Sequence, residues 1–140
     1  HFQMKPTFAE QIERDYNRLF SLEEKTAAEI EPFEMGESTR LRKERVLRLD
    51  DLHWQARYLR LLMMVMDKLY GKLTFANDLD KLRFYATAYN SGYAGGEKAI
   101  RKMIGIRRFH IQWLFAKTHY DYADVSVFYY SRLRAASQPL

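Results

Sequence analysis

The stretch from Asp50-Asp51 to Gly71 constrains this chain more than any other. Leu52, Tyr58, Leu59, Leu62, Met63, Val65, Met66 and Leu69 cover most of the circumference of one long helix. A helix apolar on so many sides needs other elements packed around it, so the stretch predicts the central buried helix of an all-α fold. Asp50 and Asp51 offer carboxylates to cap its start and to suit its positive end, and Gly71 is expected to close it in the left-handed conformation. The longest apolar run, Leu61 to Met66, lies between Arg60 and Asp67. It is far shorter than the ~20 residues that span a bilayer, and no membrane span is expected. Met63, Met64 and Met66 read as core packing rather than as an adaptable binding groove.

The rest of the chain continues the helical pattern. Pro6-Thr7 followed by Glu10 reads as a helix start with Thr7 as cap, and Phe8, Ile12, Tyr16, Leu19 and Phe20 recur at helical spacing. Ser21 and Glu24 form a capping-box signature for a second helix from Leu22 to Ile30, closed by Pro32. Arg40, Arg42, Lys43, Arg45 and Arg48 surround Leu41, Val46, Leu47 and Leu49, which predicts a short helix with a strongly basic outer face. Thr74 or Asn77 starts the next helix, which runs to Ser91-Gly92, and Glu97 to Met103 forms another that Gly105 closes. Residues 106–120 alternate in a strand-like way yet also allow a helical turn, and are read as an ordered loop. Asp121 or Asp124 caps a last helix on which Val125, Phe128, Tyr129 and Leu133 recur, its later aromatics expected in the core.

At 140 residues the chain suits one compact helical bundle over 1–140. With 47% hydrophobic residues and only 3 Pro and 6 Gly, it is composed like a folded domain and not like a disordered segment. The formal charge of +5 would favour an anionic partner, such as nucleic acid, lipid head groups or acidic cell-wall polymer, if the basic groups share one face. Acidic residues are interspersed throughout, so a mixed, solvated surface is the competing reading. The chain opens on His1-Phe2-Gln3 ahead of Met4, which reads as trimmed or processed and leaves secretion open.

Several chemistries lack their residues. There is no cysteine, hence no disulfide, thiolate metal site or cysteine nucleophile. His1, His53, His110 and His119 stand in no recognised ligand pattern, and no metal or cofactor is expected. Phosphate-loop, dinucleotide and nucleophile-elbow motifs do not occur, nor does a helix-turn-helix or RNA-binding signature, which makes nucleic acid the lesser choice of anion.

One segment points further. Ala88-Tyr89-Asn90-Ser91-Gly92, at the end of its helix, resembles the Ala-Tyr-Asn-x-Gly motif of lysozyme-like lytic transglycosylases, and Arg57-Tyr58-Leu59-Arg60-Leu61-Leu62 looks like the Tyr-Leu-x-x-Leu-Leu helix that precedes it. The matches cover roughly residues 55 to 95. The resemblance implies a lysozyme-like fold, a peptidoglycan substrate, a periplasmic or cell-envelope location, and a tyrosine, here Tyr89, that hydrogen-bonds a catalytic glutamate. The family's Glu-Ser dipeptide is matched by Glu37-Ser38, so Glu37 is the expected acid. The family's Gly-Leu-Met-Gln segment is missing, and Leu52-His53-Trp54-Gln55 stands nearest to it. Asn90, Trp113, Tyr120 and Tyr122 are the expected sugar contacts, because aromatic faces and amides suit sugar rings. Cleavage of a glycosidic bond needs a carboxyl that stays protonated in an apolar pocket, and a phenol donor can orient it.

The same five residues also make a generic helix ending, with Asn or Gly in the left-handed position and a tyrosine against the core. Two functions therefore stand side by side. One is binding or cleavage of cell-envelope glycan, with or without retained catalysis. The other is a non-catalytic helical module that holds a protein or anionic polymer on Arg40, Arg42, Lys43 and Arg45.

Overall fold

The computed structural model describes residues 4–106, the short strands at 109–110 and 119–120, and residues 121–136. The fold is all-α, with seven α-helices among the described residues. Contacts gather into two compact units, residues 1–72 and 73–140. Among the described residues no helix is long and apolar enough to cross a membrane.

In the first unit, α1 (Pro6–Leu19) places Pro6 in its first turn and buries Ala9, Ile12, Glu13 and Tyr16, a stripe at helical spacing. Its cap position is Lys5, with no side-chain cap bond. Thr7 therefore does not act as the cap, because proline fits the first helical turn and moves the start two residues earlier. α2 (Leu22–Ala27) has the expected capping box, with Ser21 and Glu24 each serving the other's backbone N–H. It stops short of Ile30, since Glu29 turns left-handed at φ 57°. The connection after it is tied to α1: the Tyr16 hydroxyl donates to the Ile30 carbonyl at 2.9 Å, and the Asn17 amide brackets the Phe33 backbone, donating at 2.7 Å and accepting at 3.0 Å.

α3 (Thr39–Asp50) is capped by Ser38, and α4 (Leu52–Tyr70) by Asp51, whose carboxylate accepts from Trp54 N–H. One residue, Asp51, thus ends one helix and starts the next. The Gln55 amide donates to the Leu49 carbonyl at 2.7 Å and satisfies an orphan acceptor at this corner. α1, α3 and α4 pack against one another. α4 buries Tyr58, Leu61, Leu62, Val65 and Met66, whereas Leu52, Met63 and Leu69 are exposed. Its apolar coverage is wider than the first unit buries. Gly71 is right-handed (φ −62°), its N–H continuing the helix to Asp67, so the expected left-handed cap does not form.

The interior of this unit is crossed by charge. Glu13, 1% exposed, receives two hydrogen bonds from the Arg45 guanidinium at 2.9 and 2.8 Å and one from the Tyr58 hydroxyl. Arg48 approaches its other oxygen at 3.5 Å. Burial, then the bond to Glu13, pushes the Tyr58 phenol far above its ordinary range.

In the second unit, α5 (Asp78–Ser91) starts at Asn77, whose side chain accepts from Asp80 N–H. A 3-10 turn at Tyr93–Gly95 leads to α6 (Gly96–Met103). The strands β1 (Phe109–His110) and β2 (His119–Tyr120) pair antiparallel, Phe109 opposite Tyr120. α7 (Tyr122–Ala136) follows. α5 packs against both α6 and α7, around buried Phe84, Tyr85, Ala88, Tyr93, Ile100 and Ala123. The Asp121 carboxylate accepts from Gly105 N–H and from Ala123 N–H, each at 3.0 Å, and so caps α7 while holding the end of α6 beside it. The expected core role of the later aromatics does not hold: Phe128 is 53% exposed and Tyr129 62%, because α7 turns its Ala123 face to α5 instead.

Removing one member of a buried ion pair strands the other, at a cost of about 3–5 kcal/mol. Glu13→Ala is expected to destabilise the first unit by that amount in chemical denaturation, and Glu13→Leu combined with Arg45→Met to recover part of the loss. A loss under about 1 kcal/mol would remove the cluster's structural role.

Candidate functional site

Each basic residue of α3 takes its fate from its place on the helix. Leu41 and Arg45 lie one turn apart on the buried face. Arg45, expected among the partner-binding residues, is 3% exposed and committed to Glu13. Arg48 is drawn toward the same carboxylate and also lies over the Trp54 ring at 4.8 Å. Arg40 remains at the surface but is matched within the chain, by Glu34 at 2.6 Å and Glu44 at 2.7 Å. The hydrogen bond that Arg40 donates to Glu34 leads the causes that raise its pKa. Arg42 and Lys43 are exposed, and no ion pair to either occurs among the described residues.

Arg42 borders two depressions and Lys43 the second of them. The first, of about 350 Å³, is lined by Pro6, Thr7 and Glu10 from the start of α1, by Gly36, Glu37 and Ser38 ahead of α3, and by Arg42 and Arg45. The second, shallow and apolar, of about 410 Å³, lies over Thr39, Arg42, Lys43, Val46 and Leu47. Those five recur at i, i+3, i+4, i+7 and i+8, one continuous stripe on a helix. Val46 and Leu47 are 41% and 68% exposed there.

The residues expected to act on glycan are divided between the two units. Glu37 is exposed beside the α3 cap and belongs to the first unit. Tyr89, in the second unit, stacks on Tyr122 with ring centroids 5.6 Å apart at 29°. Burial, and secondly the charge Tyr122 would carry, push the Tyr89 phenol up to about 12. Burial likewise raises that of Tyr122. Asn90 is exposed. Gly92 closes the helix at φ 91°, where a side chain would be strained, and the Ser91 hydroxyl donates to the Thr87 carbonyl at 2.7 Å. Trp113 lies outside the described residues, and Tyr120 is placed as a β2 residue opposite Phe109.

A tyrosine-to-glutamate hydrogen bond does occur within the first unit, between Tyr58 and Glu13. Tyr58 opens the Tyr-Leu-x-x-Leu-Leu stretch. Glu13 is inaccessible, and its oxygens are taken by two guanidiniums and the phenol, so the pair braces the helices and offers nothing to a sugar. Sequence reasoning missed it. The signal was a carboxylate next to Ile12 and one turn before Tyr16, on an otherwise apolar stripe. Among the described residues no group of three His, Asp or Glu side chains is placed to hold a metal ion.

A phenol whose folded pKa lies above its ordinary 10.0 stabilises the fold while protonated. For Tyr89 that contribution is complete below about pH 10 and is lost as pH rises from 10 toward 12. Absorbance titration of tyrosinate should show a class of phenols ionising late. Tyr89→Phe is expected to remove one late phenol and flatten the alkaline fall in stability; an unchanged titration would place Tyr89 in solvent.

Comparison with protein-family models, with curated proteins and with solved structures finds no match to this chain.

Proposed function

We propose that the chain is a non-catalytic interaction module that holds an anionic partner against the outer face of α3. The observation that carries this reading is the contrast within one helix. Arg40, Arg45 and Arg48 are neutralised internally, while Arg42 and Lys43 are exposed and flank exposed Val46 and Leu47. Exposed cations attract anions over about a Debye length, and neighbouring apolar surface adds contact that salt does not screen. A protein surface or an acidic polymer such as cell-wall material has the matching chemistry.

Two cations give modest affinity with a clear salt signature. Binding to poly-glutamate and to isolated peptidoglycan is expected to weaken on going from 50 to 300 mM salt, roughly tenfold, as counterion release predicts for about two contacts. Arg42→Glu with Lys43→Glu should weaken it at least as much at low salt, and Arg40→Glu less, since that side chain already serves Glu34 and Glu44. Full binding by the Arg42/Lys43 double variant would remove the α3 face from consideration.

The end of α5 supports a second reading, binding or cleavage of peptidoglycan in the manner of a lytic transglycosylase relative. Tyr89 is half-buried beside Tyr122 there, and Asn90 is exposed. In this reading Glu37 is the acid, Tyr89 its orienting donor, Asn90, Trp113, Tyr120 and Tyr122 sugar contacts, and the cell envelope the working compartment. Soluble muropeptides released from isolated cell walls, and lost in Glu37→Gln, are its expected signature; no release, or release that persists in that variant, would end the catalytic assignment.

A further inference from the structure

The outer stripe of α3 reaches one residue further than the depression over it. Thr39, Arg42, Lys43, Val46 and Leu47 line that depression, and Asp50, two turns beyond Lys43, falls on the same side of the helix. All six are exposed. They lie away from Leu41 and Arg45, the face of α3 that is buried in the first unit. Asp50, like Arg42 and Lys43, makes no hydrogen bond or ion pair among the described residues, and the cap of α4 is Asp51.

The order of these charges is unfavourable within α3. Its backbone dipole leaves the N-terminal end positive and the C-terminal end negative, so anions suit the first turns and cations the last. Arg42 and Lys43 stand near the start of α3 and Asp50 is its last residue, the reverse of that preference. A second α3 turned end for end corrects it. Each helix then receives an aspartate at its positive end and cations at its negative end, on the stripe that also carries Val46 and Leu47.

We infer that the anionic partner of the α3 face is a second copy of this chain, held as an antiparallel pair of α3 helices about a two-fold axis between Val46 and Leu47. The inference rests on the reading of that face as an anion-binding surface and names what fills it. Every contact across a two-fold axis occurs twice. Asp50 of each copy arrives opposite Lys43 of the other, with Arg42 on its flank, while Val46 and Leu47 meet the same two residues across the axis. A parallel pair would set Lys43 against Lys43 and Asp50 against Asp50.

One short helix face from each copy covers less than the ~1,200–2,000 Å² of long-lived complexes, and the formal charge of +5 on each chain opposes their approach. The dimer is therefore a weak one, with Kd on the order of 100 µM.

Sedimentation equilibrium of the full chain from about 10 to 1,000 µM brackets that value. A reversible monomer–dimer equilibrium is expected. Lys43→Asp and Asp50→Lys each set like charges together at both ends of the pair, and each should weaken it about tenfold or more with helicity unchanged. Mixed in equal amounts, the two variants bring opposite charges together at both ends, and a heterodimer of about wild-type affinity should form. Poly-glutamate reports on the wider reading: Asp50→Lys should bind it no less than the wild type does, because Arg42 and Lys43 are untouched. A chain that stays monomeric throughout the range yet binds poly-glutamate overturns the inference and leaves the anion-binding face in place; a chain that does neither overturns both. A dimer indifferent to Asp50→Lys, or a mixture of the two variants that stays monomeric, overturns the inference as well.

Discussion

Glu13 enters the interior of the first unit on a stripe that is otherwise apolar, and the placement of three helices follows from how its charge is met. Several kcal/mol is needed to remove a carboxylate from water, and this cost is offset only when the forked guanidinium of Arg45 and the phenol of Tyr58 arrive in register. Those groups belong to α3 and α4, so the rotation of each helix about its own axis is fixed by a polar contact. Leucine and valine alone allow neighbouring rotamers and small slips; a guanidinium that donates twice to one oxygen of a buried carboxylate, with a phenol on the other, does not.

The same constraint shapes the outside. With Arg45 turned inward, α3 must present Arg42, Lys43, Val46 and Leu47 outward, since these positions lie round the helix from it. The surface through which we propose that the chain meets an anion is thus the reverse side of its internal brace. A change that weakens the brace loosens the surface, although no residue is shared between the two.

Much of the helical skeleton was legible in the sequence because caps act locally. Ser21, Asp51 and Asn77 each accept from the backbone N–H three residues on, and each helix starts where its cap stands. Thr7 misled because Pro6 set the start by fixing its own φ, which requires no side-chain cap. Arg45 misled because the partner that draws it inward lies 32 residues away, beyond any local pattern. The aromatics of α7 misled for a related reason: periodicity shows that one side of a helix is apolar, not whether the same chain supplies its cover. Of the candidate site, the exposed cations Arg42 and Lys43 could be read directly, whereas the sorting of their neighbours into paired and unpaired could not.

The Asp121 carboxylate has a consequence for how this chain can change. By accepting from Gly105 at one end and Ala123 at the other, it closes the excursion between α6 and α7 at its base. The entropy of bringing those ends together grows only slowly with the number of residues between them, so one carboxylate that accepts from both at 3.0 Å can hold the junction. A single substitution at Asp121 therefore reaches two helix ends at once, the close of α6 and the start of α7.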